Sequence, residues 1–309
     1  MIASCGESLV DFVPDLTGSS SRWTDFVGGS PYNVARGLGR LGIESAFVGA
    51  ISTDLFGEEL LAGLESSGVA TDYVVRLDRP STLSFVRIDD SDAEYAFYNA
   101  TSADRNWPGT DNTTLLAAVD ALHFGSNSLV LEPGASEFER LMGLAKQAHV
   151  VSFDPNVRPQ LVEGGEHLAD RFYQLAALAD IVKLSADDIR YLEPRVSAAE
   201  MAGRILSQGA ALVFVTCGQR PTIAFTPRLE VTRSPKKVHV VDTIGAGDGF
   251  MAGLLASLSE RGLLSKDGLS AISIEELDTV LDFALRVAAA VCTRRGAEMP
   301  TKDDLAEIG

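Results

Sequence analysis

The sequence predicts an α/β fold in which helices pack against a mainly parallel sheet. Three observations predict it. Short apolar, β-branched or aromatic runs alternate with segments of helical period over most of the chain, the pattern of βαβ units. Apolar residues make up 46% and charged residues 22%, the mix of an ordinary folded protein. The 309 residues suffice to bury a sizeable core, as one large domain with an appendage or as two modest domains.

In chain order, core strands are expected at 2–5, 46–51, 121–124, 150–153, 181–184 and 211–216, with helices between them. Asp54 is placed to cap a helix carrying Leu60, Leu61 and Leu64, and Gly68 to end it. Ser197 is placed to cap a helix carrying Met201 and Ile205. The longest helical pattern covers 275–294, and its Ala288-Ala289-Ala290 run predicts close packing against a neighbour. Two regions break the alternation, about 11–33 and 72–104. In the second, 82–88 and 95–99 alternate like hairpin strands around Asp89-Asp90-Ser91-Asp92. Together they read as one small sheet, too small to stand alone, and so as a lid or a dimer clasp over a main domain of 1–10, 34–71 and 105–309. The Ser19-Ser20-Ser21 run reads as an ordinary surface loop.

A formal charge of −17 argues against nucleic acid or an anionic membrane surface as partner, because no cationic surplus exists to displace counterions. A small anionic ligand stays open, since main-chain donors and a few cations can reverse the potential inside one pocket. Cys5, Cys217 and Cys292 lie far apart without metal-ligand spacing and read as buried apolar residues. His123, His149, His167 and His239 show no ligand spacing either. No apolar run approaches the roughly 18 residues of a membrane span, and no basic leader opens the chain, so a cytoplasmic protein is expected.

The strongest signal is the string 240–250, with Asp242-Thr243-Ile244-Gly245-Ala246-Gly247-Asp248 at its centre: a strand end, a turn of small residues and a helix start. Glycines at 245 and 247 let the main chain approach an anion and turn its amides inward, and the following helix adds partial positive charge. Asp248, placed there, is a candidate general base for an attacking hydroxyl; the alternative is a helix N-cap after a glycine turn.

This string resembles the signature of the ribokinase, or PfkB, family of carbohydrate kinases. Gly28-Gly29-Ser30-Pro31-Tyr32-Asn33, followed by Leu41-Gly42, resembles that family's other signature. Gly6-Glu7 with Asp11, His123 to Ser126, Asp154 to Arg158, Lys183 to Ser185 and Thr293 to Ala297 match its bacterial fructokinase-like branch in order, so the resemblance covers essentially the whole chain. It implies a doubly wound α/β domain with a β-sheet lid, a sugar between them, and ATP across the carboxyl ends of the strands. Phosphoryl transfer would then be direct and in line, with magnesium as the nucleotide's charge partner.

Carried over residue by residue, the resemblance makes Gly245, Ala246 and Gly247 the anion hole. It makes Asp11, Gly28, Gly29, Asn33 and Tyr98 the sugar contacts, with an N-cap as the alternative for Asn33 and a turn aspartate for Asp11. Arg158 is expected to neutralise the γ-phosphate or hold the sugar, the alternative being a surface salt bridge. Lys183 and Ser185 lie toward the nucleotide. Asp188 corresponds to a residue that places magnesium through water, although Ser185 and Asp188 stand where the family has Asn and Glu. Thr216 and Gly218 flank the ribose and phosphates, with Pro221 in place of a second glycine. The backbone at Asp242, Ile244 and Gly296 corresponds to a monovalent cation site, usually potassium. In Phe97-Tyr98-Asn99, Asn99 stands where relatives often carry an Arg, which argues against an acid sugar such as 2-keto-3-deoxygluconate unless Arg105 substitutes. Free fructose is the expected substrate, with ribose, a nucleoside or 2-keto-3-deoxygluconate as alternatives on the same fold and a catalytically silent sensor as a remote one. A Rossmann dehydrogenase is rejected, because Gly245-Ala246-Gly247 comes late and no Gly-x-Gly-x-x-Gly follows the first strand. A homodimer through the lid is expected.

Overall fold

The computed structural model describes residues 1–15, 22–89, 92–161 and 167–308; Ser19-Ser20-Ser21 and the Asp90-Ser91 part of the expected hairpin turn lie outside the described residues. In chain order the strands are β1 (Ile2–Cys5), β2 (Leu9–Asp15), β3 (Arg22–Gly28), β4 (Ser45–Ser52), β5 (Val69–Ala70), β6 (Val74–Leu77), β7 (Thr82–Asp89), β8 (Asp92–Tyr98), β9 (Ala121–Gly125), β10 (Val150–Asp154), β11 (Ile181–Ser185), β12 (Leu212–Cys217), β13 (Arg220–Phe225) and β14 (Glu230–Arg233). The helices are α1 (Ser30–Arg40), α2 (Leu55–Ser66), α3 (Asn112–Ala118), α4 (Gly134–Ala145), α5 (Leu168–Ala176), α6 (Ala186–Leu192), α7 (Ala198–Ser207), α8 (Ala246–Glu260), α9 (Lys266–Ala271) and α10 (Ile274–Cys292).

The larger sheet has the order β14-β13-β12-β11-β10-β9-β1-β4-β5, with β6 also paired to β4. Pairings from β12 to β5 are parallel and only the β12-β13-β14 edge is antiparallel. The chain winds outward from β1 in both directions, the doubly wound arrangement, and its switch point lies between β1 and β9. The strands read as continuous apolar runs because both faces are covered. Val151, Val182, Val213 and Val215 meet Phe138, Leu141, Phe172 and Met201 of α4, α5 and α7 on one face. Val150, Ile181, Leu212 and Phe214, one residue out of phase, meet Leu38, Phe250, Leu254 and Leu281 of α1, α8 and α10 on the other.

Local signals place the helix ends. The Asp54 carboxylate accepts from the Gly57 amide at 2.8 Å, and Gly68, at φ 74°, follows the last turn of α2. Ser197 and Glu200 close a capping box on α7, as Ser273 and Glu276 do on α10. The close packing expected from the alanine run of α10 is made against α8, where a Cβ on Gly249 would lie 2.7 Å from Val291 Cγ2. All three cysteines are free thiols; Cys5 is buried, but Cys217 and Cys292 are half-buried at element ends rather than in the core.

The small sheet runs β3-β2-β7-β8, with β2 and β7 parallel and the outer pairings antiparallel. It is narrower than the 11–33 and 72–104 expected. Residues 30–33 already form the first turn of α1, which Pro31 favours by its fixed φ. Residues 74–77 join the main sheet as β6, because Val75 and Leu77 pack onto the main core. No helix among the described residues is long and apolar enough to cross a membrane.

Candidate active site

Gly245 precedes α8 at φ 77°, a left-handed conformation that costs glycine nothing. A side chain there is excluded by contact as well, since its Cβ would lie 2.6 Å from Ala297 Cβ. A helix start leaves its first amides without carbonyl partners inside the helix, which makes it an anion site. Of the three expected donors, Ala246 differs: its amide donates to the Thr243 carbonyl at 3.2 Å and closes the turn.

Asp248 is the third helical residue, so the N-cap alternative fails; that position belongs to Gly245. Its carboxylate is buried and turned toward α1, where Oδ1 accepts from Ser30 Oγ at 2.7 Å and Oδ2 from Asn33 Nδ2 at 2.8 Å. Asn33 is not an N-cap either, because α1 starts three residues earlier, after Gly29. Its second polar atom, Oδ1, is buried without a hydrogen-bond partner among the described residues. Burial raises the pKa of Asp248, while Asn33, Ser30, Lys183 and Arg158 pull it back.

Asp11, in the middle of β2, lies on the cleft side of the lid. Gly28 makes room for it: a Cβ there would sit 2.9 Å from Asp11 Oδ2. Gly29, at φ 106°, lets the chain turn from β3 into α1 against the Glu7 carbonyl. Burial pushes the Asp11 carboxyl up to about 6, opposed by the Ser84 hydroxyl and the Arg158 guanidinium and reinforced by the Asp248 charge. Asp11, Arg158 and Asp248, 237 positions apart at the extremes, therefore share one electrostatic neighbourhood. Arg158 is aimed by the turn before it: Asn156 takes φ 36°, and its amide donates to Asp154 Oδ1 at 3.2 Å.

Lys183 Nζ makes a buried ion pair with Asp154 Oδ2 at 2.8 Å. It also lies 3.1 Å from where a Gly247 Cβ would be, at the floor of the glycine turn. Burial alone would lower its pKa, but Asp154, Asp188 and Asp248 together hold it above the ordinary value, so it stays an ammonium. Ser185 and Asp188 form the capping box of α6. Asp188 Oδ2 accepts from the Ser185 amide at 2.7 Å, and Asp188 Oδ1 from the Val157 amide at 2.8 Å. Thr216, near the end of β12, donates to the Leu184 carbonyl at 3.4 Å, and Gly218 turns the chain at φ 61° into β13, which contains Pro221.

Asp242 ties two loops together. Its Oδ1 accepts from the amides of Thr243 and Ile244 at 2.7 and 3.1 Å, and its Oδ2 from the Gly296 amide at 2.9 Å. Gly296 in turn meets the lid: a Cβ on it would lie 2.7 Å from Phe26 Cδ1. The three residues expected around a monovalent cation are thus adjacent, and no cluster of three His, Cys, Asp or Glu residues suited to a metal occurs among the described residues.

Tyr98 is not brought to this site. Asp11 pairs with Ser84 and Ser84 with Phe97, so Phe97 shares the Asp11 face; Tyr98, opposite Leu83, points the other way and is 66% exposed against Phe85. Phe97 lines a cavity with Leu9, Thr82, Asn99, Asp104 and Arg105, beside the buried Glu7. The structure adds Ser30, Asp154, Phe26 and Phe97 to this neighbourhood. Ser30, Asp154 and Phe97 stand inside strings that the sequence marks, but which of these side chains face Asp248 or Asp11 depends on pairing register and on contacts between distant segments.

Comparison with known proteins identifies the family. The pfkB family carbohydrate kinase family matches residues 1–304. A fructokinase of Rhizobium leguminosarum bv. trifolii is 37% identical over 278 residues, covering 90% of this chain and 85% of the relative. The crystal structure of a fructokinase with bound ATP from Xylella fastidiosa superposes with a TM-score of 0.91 at 29% identity, covering 99% of this chain and 96% of that one. A fructokinase variant from Vibrio cholerae O395, in a form with fructose, ADP and potassium bound, gives a TM-score of 0.85 at 26% identity over 99% of this chain and 97% of that one. Matched by the family model over residues 1–304 and by a relative of 37% identity over most of both chains, the chain belongs to the pfkB family of carbohydrate kinases and is a sugar kinase.

Proposed function

We propose that this sugar kinase is a cytoplasmic fructokinase that transfers the γ-phosphoryl group of ATP to a hydroxyl of free fructose, with Asp248 as general base. The observation that carries the proposal is the convergence on Asp248: a buried carboxylate at the first turn of α8, next to the glycine turn, electrostatically coupled to Asp11 of the lid and to Arg158. The Asn33 Oδ1 atom, buried and unpartnered, is the kind of acceptor a sugar hydroxyl satisfies. Asp11, with Gly28 and Gly29 beside it, accepts further hydroxyls.

In the reaction, Asp248 takes the proton of the attacking hydroxyl as its oxygen bonds to the γ-phosphorus and the bond to the ADP oxygen breaks. The amides of Gly245 and Gly247, the Lys183 ammonium and the Arg158 guanidinium hold the charge gathering on the transferred group. Thr216 and Gly218 flank the nucleotide. Magnesium, bound with the nucleotide, supplies charge neutralisation. Asp188, with both oxygens held by amides, suits a contact through water rather than direct ligation. Asp242, by drawing 244 and 296 together, shapes a backbone site for potassium, the ion named with the Vibrio cholerae fructokinase. On the face of the small sheet opposite Asp11, beyond the part that Phe12 packs onto Phe56 of α2, the 43% exposed Trp23 and the 66% exposed Tyr98 flank Phe85 in an aromatic patch that supports a homodimer through the lid.

A second substrate is favoured by one observation. Arg105 lines the cavity with Phe97, although its Nε donates to the Glu132 carbonyl at 2.7 Å, and a cation there suits an acid sugar. The test is ADP release with fructose, ribose, 2-keto-3-deoxygluconate, adenosine and fructose 6-phosphate, with magnesium and with or without potassium. Fructose is expected to give the highest kcat/KM. A preference for 2-keto-3-deoxygluconate would replace the substrate and keep the mechanism, and turnover with none of the five would remove the kinase assignment of this cleft. Asp248→Asn is expected to lower kcat at least about a hundredfold with the KM for ATP nearly unchanged.

A further inference from the structure

We infer that Ser30 is a positioning residue for Asp248: its hydroxyl, reaching across from α1, fixes one carboxylate oxygen so that the base keeps its aim while Asn33 turns to the sugar. The inference rests on Asp248 being the base proposed above. A serine at a helix start ordinarily caps its own helix through its side chain, yet α1 has no side-chain cap, and Ser30 stands one position inside it. Its buried hydroxyl instead donates to Asp248 Oδ1 at 2.7 Å, across 218 residues of sequence.

The two donors to Asp248 differ in what else they must do. Asn33 holds Oδ2 through Nδ2 at 2.8 Å while its buried Oδ1 lacks a partner, so Asn33 has work left for a bound ligand. Ser30 has a single hydroxyl hydrogen, and Asp248 receives it. Three positions apart on one helical turn, the two residues grip one oxygen each and so fix the plane of the carboxylate. The turn that carries them is itself anchored: the Pro31 carbonyl accepts from Ser4 Oγ of β1 at 2.6 Å, and the Asn33 amide donates to the Gly29 carbonyl at 2.8 Å. The pair is therefore tied to β1 of the central sheet through Pro31 and to the end of β3 through Gly29.

The charged groups acting on or sensing Asp248 are Lys183 of β11, Arg158 after β10, Asp154 at the end of β10 and Asp11 of β2. Burial drives its pKa up, and the donors and cations oppose that rise. Loss of the Ser30 hydroxyl removes one opposing contribution, so the base protonates at higher pH and the acid limb of the rate profile moves up.

The test is the pH dependence of kcat for Ser30→Ala and Ser30→Thr beside the wild-type enzyme, with each KM measured at every pH. Ser30→Ala is expected to move the acid limb up by about half to one pH unit, while the KM values for sugar and ATP change less than about twofold. Ser30→Thr, which keeps the hydroxyl, is expected to restore the wild-type limb. A Ser30→Ala profile that superposes on wild type would overturn the inference. So would equal rises in both KM values without a shifted limb, the mark of a merely structural role, or a threonine variant that follows the alanine one. Full activity of Asp248→Asn, in contrast, would sink the base itself, so the two failures are distinguishable.

Discussion

The two walls of the proposed cleft, one for phosphate and one for sugar, are made by different means. On the phosphate wall, Gly245, Gly247 and Asp248 follow one another along a turn and the first residues of α8, and their positions are set by backbone geometry within a few residues. On the lid wall, Asp11, Gly28, Ser84 and Phe97 come from four strands and share a face only because β3, β2, β7 and β8 pair in one register. A wall built from consecutive residues admits little substitution without losing its donors. A wall built from register can exchange side chains one at a time, which is the freedom that choosing a sugar requires.

The sharpest way to break this contrast is Gly245→Ala. The added Cβ meets Ala297 at 2.6 Å and forces a side chain into the left-handed region at φ 77°. The turn must shift, and its amides with it. Losing one well-placed oxyanion donor costs about a hundred- to a thousandfold in kcat, and here more than one moves, so kcat is expected to fall at least about a thousandfold. Steady-state kinetics check this, and a variant keeping a tenth of wild-type kcat would mean that the phosphate wall is not set by its turn.

Asp11→Asn probes the other wall with a smaller effect. Removing a charged acceptor for a sugar hydroxyl is expected to raise the sugar KM about ten- to a hundredfold while the ATP KM moves less than about threefold. Stability should move the opposite way. The folded-state pKa of Asp11, about 6, lies above its unfolded value of 3.8, so its contribution is fully present below 3.8 and lost as pH rises through 6. At neutral pH the ionised, half-buried carboxylate therefore costs the unliganded fold about 1–3 kcal/mol, and Asn should raise Tm. Equal KM changes for both substrates would take Asp11 out of the sugar wall, and a lowered Tm would contradict the burial argument.

The same ionisation predicts a pH effect on the sugar KM, separate from the acid limb that Asp248 of the phosphate wall puts on kcat. As pH falls below about 6, Asp11 protonates and loses its charge, so the sugar KM is expected to rise up to about tenfold per pH unit at fixed magnesium-ATP. Asp11→Asn should flatten that dependence. A wild-type profile flat between pH 7 and 5 would put the carboxyl outside the site.

The contrast also explains what could be read in advance. The main strands, the helix caps at Asp54 and Ser197 and the turn of the 242–248 string depend on residues adjacent in sequence, and their types carry the information: glycine where φ is positive, Ser or Asp where a helix begins, small residues where the chain turns into α8. The resemblance points to Tyr98 as a sugar contact, but which side chain of β8 shares the Asp11 face depends on how β8 registers with β7 and β7 with β2, and that register puts Phe97 there instead. The lid boundaries were drawn too wide for a related reason. Residues 74–77 have the composition of a lid strand, and only their packing against the main core makes them β6. For Asn33 the cap alternative depends on where α1 starts, and a start at Ser30 excludes it.

The smallest effect is the most specific to the lid. Phe97→Ala and Tyr98→Ala remove neighbouring aromatic rings from one strand, so they perturb local strand propensity about equally and differ mainly in the face they empty. If register sets the sugar wall, Phe97→Ala enlarges the cavity shared with Leu9, Thr82 and Asn99 and should raise the sugar KM several-fold, on the order of tenfold at most. Tyr98→Ala should leave both KM values within about twofold. Its effect should instead fall on association, because the lost ring belongs to the outward aromatic patch: light scattering should show the Tyr98 variant dissociating at higher concentration than wild type and Phe97→Ala unchanged. The reverse assignment, with Tyr98→Ala raising the sugar KM and Phe97→Ala silent, would require β8 to pair one residue out of step with β7. Because one step exchanges every side chain of β8 between the two faces, that result would also bring Ala96 onto the Asp11 face, while Ser84, held there by the β2–β7 pairing, would stay.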